Sequence, residues 1–203
     1  MWPSCRKLAP VTAASIAPPP SREARQEAEQ ATTLWTEELH EFFSLQGGQV
    51  FPVRSDQWVG TVLPDRGLLT LEGLIYRHRA AREMRANTDD LGPEWPEVVH
   101  TQEAGGTAET FLDAYVPFAE DGAGDFEYID TRPGKHHGCV RYFMAIDGGG
   151  PIFDSLASYV AAVHHSVESP YDYNGLIPTR IDGALLWEVA DASHLPAGSQ
   201  PID

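Results

Sequence analysis

Apolar residues alternate with polar ones over much of the second half of the chain, and this period-two pattern predicts β-strands. The pattern is clearest in three segments, residues 111–118, 126–129 and 139–146. Turns rich in Gly, Asp and Pro, at 121–124 and 131–134, separate these segments. Because the turns are short, the three predicted strands should pair as an antiparallel meander.

Helical spacing of apolar residues predicts four helices elsewhere, at 22–31, 36–45, 71–85 and after 155. The first of these is highly polar, so we expect it to lie on the surface. Each helix follows a residue whose side-chain oxygen can accept a hydrogen bond from the first turn, and these predicted caps are Ser21, Thr36, Thr70 and either Asp154 or Ser155.

The remaining segments carry weaker signals. Two short strands are predicted at 50–53 and 58–63 on either side of a turn. Residues 87–106 are polar and rich in Gly and Pro, which indicates a long loop. Residues 171–203 resemble an extended tail in which 184–189 could add an edge strand. Together the segments predict one α+β domain with terminal extensions.

The chain is strongly acidic, with 30 Asp and Glu against 14 Lys and Arg and a net charge of -16 over 203 residues. Nucleic acids and anionic membranes attract cationic proteins, so neither is an expected partner. A basic protein surface is the more natural counterpart, although acidity also simply favours solubility. Both explanations of the charge stay open at this point.

Sequence features bearing on location favour the cytoplasm. No run of 18 or more apolar residues occurs, so no transmembrane helix is expected. The first 20 residues resemble a signal peptide only weakly, because Pro10, Thr12 and Ser15 interrupt the apolar segment. The two cysteines, Cys5 and Cys139, are not expected to form a disulfide.

Three carboxylates, Asp121, Glu127 and Asp130, lie within ten positions and raise the possibility of acid–base catalysis. In a strand, however, Asp130 points to the face opposite Glu127, so these two carboxylates should not converge. Aspartates beside glycines usually bond the backbone of their own turn. Residues 121–125 also lack the ligand pattern of an EF-hand calcium loop. We therefore expect structural roles for these residues.

The other candidate chemistry is weaker still. Histidines and a cysteine could bind zinc, but neighbouring residues on a strand point apart and no C-x-x-C or H-E-x-x-H motif accompanies His136, His137, Cys139, His164 and His165. No G-x-S-x-G motif occurs, and residues 147–151 lack the Lys-Ser/Thr of a P-loop. We expect no enzymatic activity, no metal and no cofactor, which leaves protein binding as the residual hypothesis.

The order of several motifs resembles the SUKH superfamily, whose members include the fungal Smi/Knr cell-wall assembly regulator. The central motifs are Tyr115-Val-Pro-Phe-Ala119, Asp121-Gly-Ala-Gly-Asp125, the strand ending at Asp130, Pro133-Gly134 and the Gly-led strand at 138–143. Residues 35–48, 69–75 and 154–160 resemble flanking helical elements of the family. Three positions depart from the pattern: Trp35-Thr36 in place of Leu-Pro, Ala123 in place of Gly, and Leu156 in place of an aromatic residue.

The resemblance implies an α+β fold with one twisted, mainly antiparallel sheet flanked by helices, and no catalytic residue set. It implies a flexible tail at 1–17, the SUKH domain at 18–168 and a C-terminal extension at 169–203. Bacterial members are commonly immunity proteins that neutralise a cognate polymorphic toxin, and fungal members are regulatory scaffolds. We therefore expect a toxin-binding protein, with a regulatory interaction module as the alternative and no expectation for its oligomeric state.

Fold alone does not identify a binding surface. The residues of the central motif are expected to be structural and also to border a partner-binding face: Tyr115, Pro117, Phe118, Asp121, Gly122, Gly124, Asp125 and Asp130.

Overall fold

The computed structural model describes residues 2–52, 58–86, 101–108, 110–144, 149–168, 173, 175–189 and 200–201. Its helices are α1 (Trp2–Leu8), α2 (Pro10–Ala14), α3 (Arg22–Ala31), α4 (Glu37–Leu45), α5 (Leu71–Ala86) and α6 (Leu156–Glu168). Its strands are β1 (Gly67–Leu68), β2 (Tyr115–Glu120), β3 (Phe126–Asp130), β4 (Cys139–Phe143), β5 (Leu176–Ile181), β6 (Ala184–Val189) and β7 (Gln200–Pro201). No helix in these ranges has the length and apolar character needed to span a bilayer.

The central sheet is the predicted meander with one added strand. Its order is β1-β2-β3-β4, and every neighbouring pair is antiparallel. The register shifts between Pro117 and Ala119, where Pro117 has no N–H to donate to the ladder. The predicted α+β fold with a mainly antiparallel sheet flanked by helices is confirmed.

Both faces of the central sheet are buried, which explains why all five residues of β3 are buried. On one face, Val116, Ile129 and Val140 belong to a large apolar core shared with α4 and α6. On the other face, Tyr128 and Phe126 belong to a second cluster with Phe111, Leu112, Tyr115 and Phe143. Alternate residues of one strand therefore face two separate clusters.

The four predicted helices are present, and their caps explain where they begin. The side chain of Ser21 accepts from the N–H of Ala24 at 3.1 Å, and that of Thr36 accepts from Leu39 at 3.2 Å. Thr70 and Ser155 cap α5 and α6 in the same way, through the N–H groups of Gly73 and Ser158. Only Ala28 of α3 is buried, as expected of a surface helix.

The expected flexible tail at 1–17 is corrected by the structure. Helices α1 and α2 occupy it, and Cys5, Ala9 and Thr12 are buried. Thr12 joins this segment to β6, because its hydroxyl accepts from the N–H of Leu185 at 2.7 Å. The N–H of Val11 donates to the carbonyl of Gly183 at 2.9 Å. Long-range contacts thus order a segment whose local sequence is a poor helix former.

The C-terminal segment is also more structured than an extended tail. Strands β6, β5 and β7 form a second antiparallel sheet, in that order. The predicted strand at 184–189 coincides with β6, but it pairs with β5 and not with the edge of the meander. Leu185 and Trp187 are buried in the main core, so this sheet packs on the same body.

The predicted strands at 50–53 and 58–63 are wrong over their described residues, which form only isolated bridges. A side chain replaces the missing strand partner. Gln49 Nε2 donates to the Gly60 carbonyl at 2.7 Å, and Gln49 Oε1 accepts from the N–H of Val62 at 3.4 Å. Gly60 adopts φ 70° and lies against the Leu185 backbone, where a Cβ would clash. Most of the predicted loop at 87–106 lies outside the described residues.

Candidate functional site

The β2–β3 hairpin places Asp130 at its buried end. Tyr115 and Asp130 are paired across the two strands, and the Asp130 side chain is fully buried. Its carboxylate accepts five hydrogen bonds: three from Arg132, one from the N–H of Gly105 and one from Arg141 Nη1. The shortest charged contact, from Arg132 Nη2 to Asp130 Oδ2, is 2.7 Å. A buried carboxylate with this many donors is fully satisfied.

The pKa of Asp130 reflects this environment. Burial alone would raise the pKa, but hydrogen bonds from Arg132 and from the Gly105 N–H, with the charge of Arg132, lower it below its ordinary value. Asp130 is therefore ionised and enclosed by two buried guanidinium groups. It is unsuited to exchange protons with a substrate, because its charge is already committed to Arg132 and Arg141.

The same two arginines connect the sheet to the loops around it. Arg132 Nη2 donates to the Gly106 carbonyl at 2.6 Å, and Arg141 Nη1 donates to the same carbonyl at 2.8 Å. Arg141 also donates to the carbonyl of Gly149. Its guanidinium carbon lies 5.7 Å from the centre of the Tyr115 ring, which suits a cation–π contact. This buried cluster organises the fold at the open end of the hairpin.

Glu127 lies on the opposite face of β3, so the expectation that it does not converge with Asp130 is confirmed. Its Oε1 accepts from the Tyr159 hydroxyl at 3.0 Å and lies 3.9 Å from Arg66 Nη1. Its Oε2 is buried without a hydrogen-bond partner. Burial raises the pKa of Glu127 to about 7, although the charge of Arg66 opposes the shift. Glu127 is thus a core carboxyl group with incomplete partners.

At the other end of the hairpin, the turn is exposed and shaped by its own aspartate. Asp121 Oδ1 accepts from the N–H groups of Ala123 at 2.7 Å and of Gly124 and Asp125 at 3.2 Å. Gly122 and Gly124 have φ of 79° and 118°, where glycine is favoured. The expected backbone-bonding role of Asp121 is confirmed, whereas the Asp125 carboxylate accepts from the Tyr142 hydroxyl at 3.0 Å.

The eight residues singled out from the sequence therefore fall into two sets. One set is buried in the cores or in the Asp130 cluster: Tyr115, Pro117, Phe118 and Asp130. The other set forms the exposed or partly exposed turn: Asp121, Gly122, Gly124 and Asp125. Only the turn can contact a partner directly.

An open groove of about 540 Å³ runs beside this turn, and we call it the turn groove. Two of its aromatic residues are exposed, Trp58 by 66% and Phe51 by 47%. The Phe51 ring lies against Gly67, where a Cβ would come within 2.7 Å of a ring carbon. The described lining is Gln49, Phe51, Pro52, Trp58, Val59, Gly60, Thr61, Asp65, Gly67, Leu68, Leu69, Thr70, Gly73, Glu120, Asp121 and Gly122.

The described lining of the turn groove carries negative charge. It contains the acids Asp65, Glu120 and Asp121, and no Lys or Arg lies among its described residues. Glu120 accepts from both Nε and Nη2 of Arg77, which partly neutralises it. Burial raises the pKa of Asp65 against the opposing charge of Arg66, and Asp65 lies at the exposed surface. The combination of exposed aromatic rings and carboxylates is typical of a polar-rimmed binding surface.

Of the eight residues predicted to border a partner-binding face, Asp121 and Gly122 line the turn groove, and the prediction missed the aromatic side of the groove. Phe51 and Trp58 fall in the segments predicted as strands, 50–53 and 58–63. Asp65 adopts φ 54°, a left-handed conformation that Asp tolerates well. One sequence signal could have indicated the site. Phe51 and Trp58 lie among Gly, Pro and Asp residues, and their segment lacks the apolar–polar alternation of a half-buried strand.

The histidines have local explanations. His137 Nδ1 lies 2.9 Å from the Arg132 carbonyl, and His164 Nε2 lies 3.1 Å from Glu168 on the same helix. Within the described part of the chain, no group of three His, Cys, Asp or Glu residues is placed to hold a metal ion. Cys5 and Cys139 are both buried, unpaired thiols.

A helix-flanked antiparallel meander with a buried Asp–Arg cluster and an exposed hairpin turn defines an α+β domain. A family model for the SMI1 / KNR4 family (SUKH-1) matches residues 23–162, more than half of the chain. The chain therefore belongs to the SMI1 / KNR4 family. A comparison with curated proteins finds no significant match. Helices α1 and α2 and the second sheet lie outside the matched residues.

Proposed function

We propose that this chain is a protein-binding domain that acts as an immunity protein, binding and neutralising a cognate polymorphic toxin. The family match over residues 23–162 is the observation that carries the proposal, because bacterial SUKH proteins commonly have this role. We propose no catalytic role, since Asp130 is committed to Arg132 and Arg141, and Glu127 is buried in the core. The activity belongs to the cytoplasm, where unpaired thiols such as Cys5 and Cys139 persist.

The mechanism we propose is occlusion of a basic toxin surface. A net charge of -16 favours encounter with a positively charged partner and disfavours nucleic acid. Toxins that act on nucleic acid need a cationic surface for their substrate, and an acidic protein can cover that surface. Inhibition would then need no chemistry, only a stable complex that blocks substrate access.

The proposal is tested with the toxin gene that we expect beside the gene for this chain. Cells that express the toxin domain from an inducible promoter should grow only when this chain is co-expressed, and the two purified proteins should form a stable complex. The matched control is a toxin domain from another system in the same vector, which this chain should not neutralise. A well-folded chain that restores no growth and binds no encoded toxin would contradict the proposal.

The second candidate is a regulatory interaction module of the cell-wall assembly type. It is supported by the same family match, because the fungal Smi/Knr proteins that the sequence resembles are regulatory scaffolds. A stoichiometric complex with an endogenous housekeeping protein, in the absence of any neutralised toxin, would favour this alternative over the immunity role.

A further inference from the structure

The turn groove has the shape and composition of a surface that anchors a partner side chain. Trp58 and Phe51 present large apolar areas to solvent, although a folded chain normally buries such rings. Exposed aromatic residues bordered by polar groups mark interaction sites, and tryptophan is enriched among residues that dominate binding energy.

The charges restrict what this anchor can be. Glu120 is paired with Arg77, so Asp65 and Asp121 supply the charge that is available to a partner. Among the described residues, neither aspartate forms a salt bridge, although the charge of Arg66 acts on Asp65. Asp121 uses Oδ1 to bind its own turn, and its negative charge remains at the exposed rim. A cationic group is therefore favoured here, and an anionic one is repelled.

The protein itself uses this combination of groups beside the same turn. The Arg66 guanidinium lies over the Tyr142 ring, 4.3 Å from its centre, and Tyr142 in turn donates to Asp125. Arg77 binds Glu120 while its guanidinium carbon lies 5.9 Å from the centre of the Phe126 ring. In both places arginine combines an aromatic face with a nearby carboxylate. Its planar guanidinium suits both contacts better than the compact ammonium of lysine.

We infer that the turn groove binds an arginine side chain from an exposed basic segment of the protein partner. The guanidinium would lie between Asp65 and Asp121, with its aliphatic stem along Trp58 and Phe51. The inference rests on the proposed function for the identity of the partner as a toxin domain. The recognition itself is a property of the groove and can be measured without that partner.

The test uses a peptide of alternating leucine and arginine as the probe, titrated into the ¹⁵N-labelled full chain and followed by NMR. The matched probe is the same peptide with citrulline, which keeps the shape of arginine but has no charge. We expect the arginine peptide to shift the Trp58 indole signal and the amide signals of Gly60 and Gly122. The citrulline peptide should bind at least about tenfold more weakly, since it forms no ion pair.

The decisive variant is Asp65→Asn/Asp121→Asn. Asparagine tolerates the left-handed conformation at position 65, and its side-chain oxygen can replace Asp121 Oδ1 in the turn, so the variant should fold. We expect it to lower the affinity for the arginine peptide about tenfold. The control is Glu27→Gln/Glu83→Gln, which removes the same charge from exposed residues outside the groove and should change the affinity less than twofold.

Four results would overturn the inference. The aspartate variant could bind the arginine peptide as tightly as the wild type does, or the control and the aspartate variant could lose affinity equally. The shifts could instead map to the apolar groove between α4 and α6, which is lined by Phe42, Leu45 and Val160. Neutralisation of a toxin by the aspartate variant at unchanged affinity would sink the groove inference and leave the proposed function standing. Arginine-specific binding by a chain that neutralises no toxin would contradict the proposed function and leave the groove inference standing.

Discussion

The two ends of the β2–β3 hairpin carry aspartates in very different environments. At the buried end, Asp130 accepts hydrogen bonds from two arginine side chains and two backbone N–H groups, and no part of its side chain reaches solvent. At the exposed end, the described donors to the Asp121 carboxylate are N–H groups of its own turn. The negative charge of Asp130 is compensated inside the protein, whereas the negative charge of Asp121 lies at the surface.

The residues that stabilise the fold and the residues that can bind a partner therefore lie at opposite ends of one hairpin. A buried ion cluster is energetically sensitive, because removal of one partner leaves an uncompensated charge. An exposed turn tolerates substitution with little loss of stability, so a substitution there should instead change the affinity for a partner. Changes at the Asp130 end should therefore alter stability, and changes at the turn groove should alter binding.

The largest effect on stability is expected from Asp130→Asn. The substitution leaves Arg132 and Arg141 buried without their counterion, so the free energy of unfolding should fall by about 3–5 kcal/mol. Urea denaturation followed by circular dichroism measures the change. Asp125→Asn, at the partly exposed turn, is the control and should cost less than about 1 kcal/mol. Equal losses in the two variants would refute the contrast between the ends.

The second effect concerns Glu127, on the other face of β3. Burial raises its pKa to about 7 from an ordinary value of 4.5. Between these values the folded protein keeps a proton that the unfolded chain has lost, so the free energy of unfolding falls as the pH rises through this window. Glu127→Gln lacks this titration, and relative to the wild type it should gain up to about 3 kcal/mol between pH 5 and pH 8.

Urea denaturation at pH 5 and pH 8 measures this difference, and Glu27→Gln is the matched control because Glu27 is exposed. A pH dependence that is the same in Glu127→Gln and the wild type would show that Glu127 is ionised in the folded protein throughout.

A smaller effect is expected from Gly122→Ala at the turn. A Cβ at Gly122 meets no atom within 4 Å, so the cost arises only from φ of 79° and should be about 1–2 kcal/mol. Gly134→Ala should cost more, because its Cβ would lie 2.7 Å from the Glu103 Cβ. Thermal unfolding of both variants measures which of them loses more stability. A larger loss in Gly122→Ala than in Gly134→Ala would contradict the open environment of the turn.

The smallest effect on stability is expected from Trp58→Ala. The side chain is 66% exposed, so the free energy of unfolding should change by no more than about 0.5 kcal/mol. The affinity for the arginine peptide should nevertheless fall about tenfold, since the aromatic face of the groove is lost. Trp187→Ala is the contrasting variant, because this buried tryptophan should affect stability strongly. A large loss of stability in Trp58→Ala would show that the ring is a core residue.

Much of the central fold could be predicted from sequence because its signals are local. Ser21 and Thr36 cap helices at the predicted positions, and Asp121 bonds its own turn. The alternation along β3 correctly separates Glu127 from Asp130, since opposite faces follow from strand geometry alone. These features depend on neighbours within a few residues of the chain.

What sequence reasoning missed depends on contacts between distant residues. Arg141 approaches Asp130 from the adjacent strand, and nothing near either residue indicates this pair. Helices α1 and α2 form because Thr12 bonds Leu185, which is remote in sequence. The turn groove likewise combines Trp58 with Asp121 from separate segments. Tertiary packing outweighs local propensity in each of these cases.

The most direct test of the contrast is the affinity of folded Asp130→Asn for the arginine peptide, measured by NMR beside that of Asp65→Asn/Asp121→Asn. The separation of fold from binding predicts that Asp130→Asn, once folded, binds within about twofold of the wild type. The Asp65→Asn/Asp121→Asn variant should bind about tenfold more weakly than the wild type while keeping its stability. The opposite pattern, with binding lost at the Asp130 end and kept at the turn, would contradict the separation.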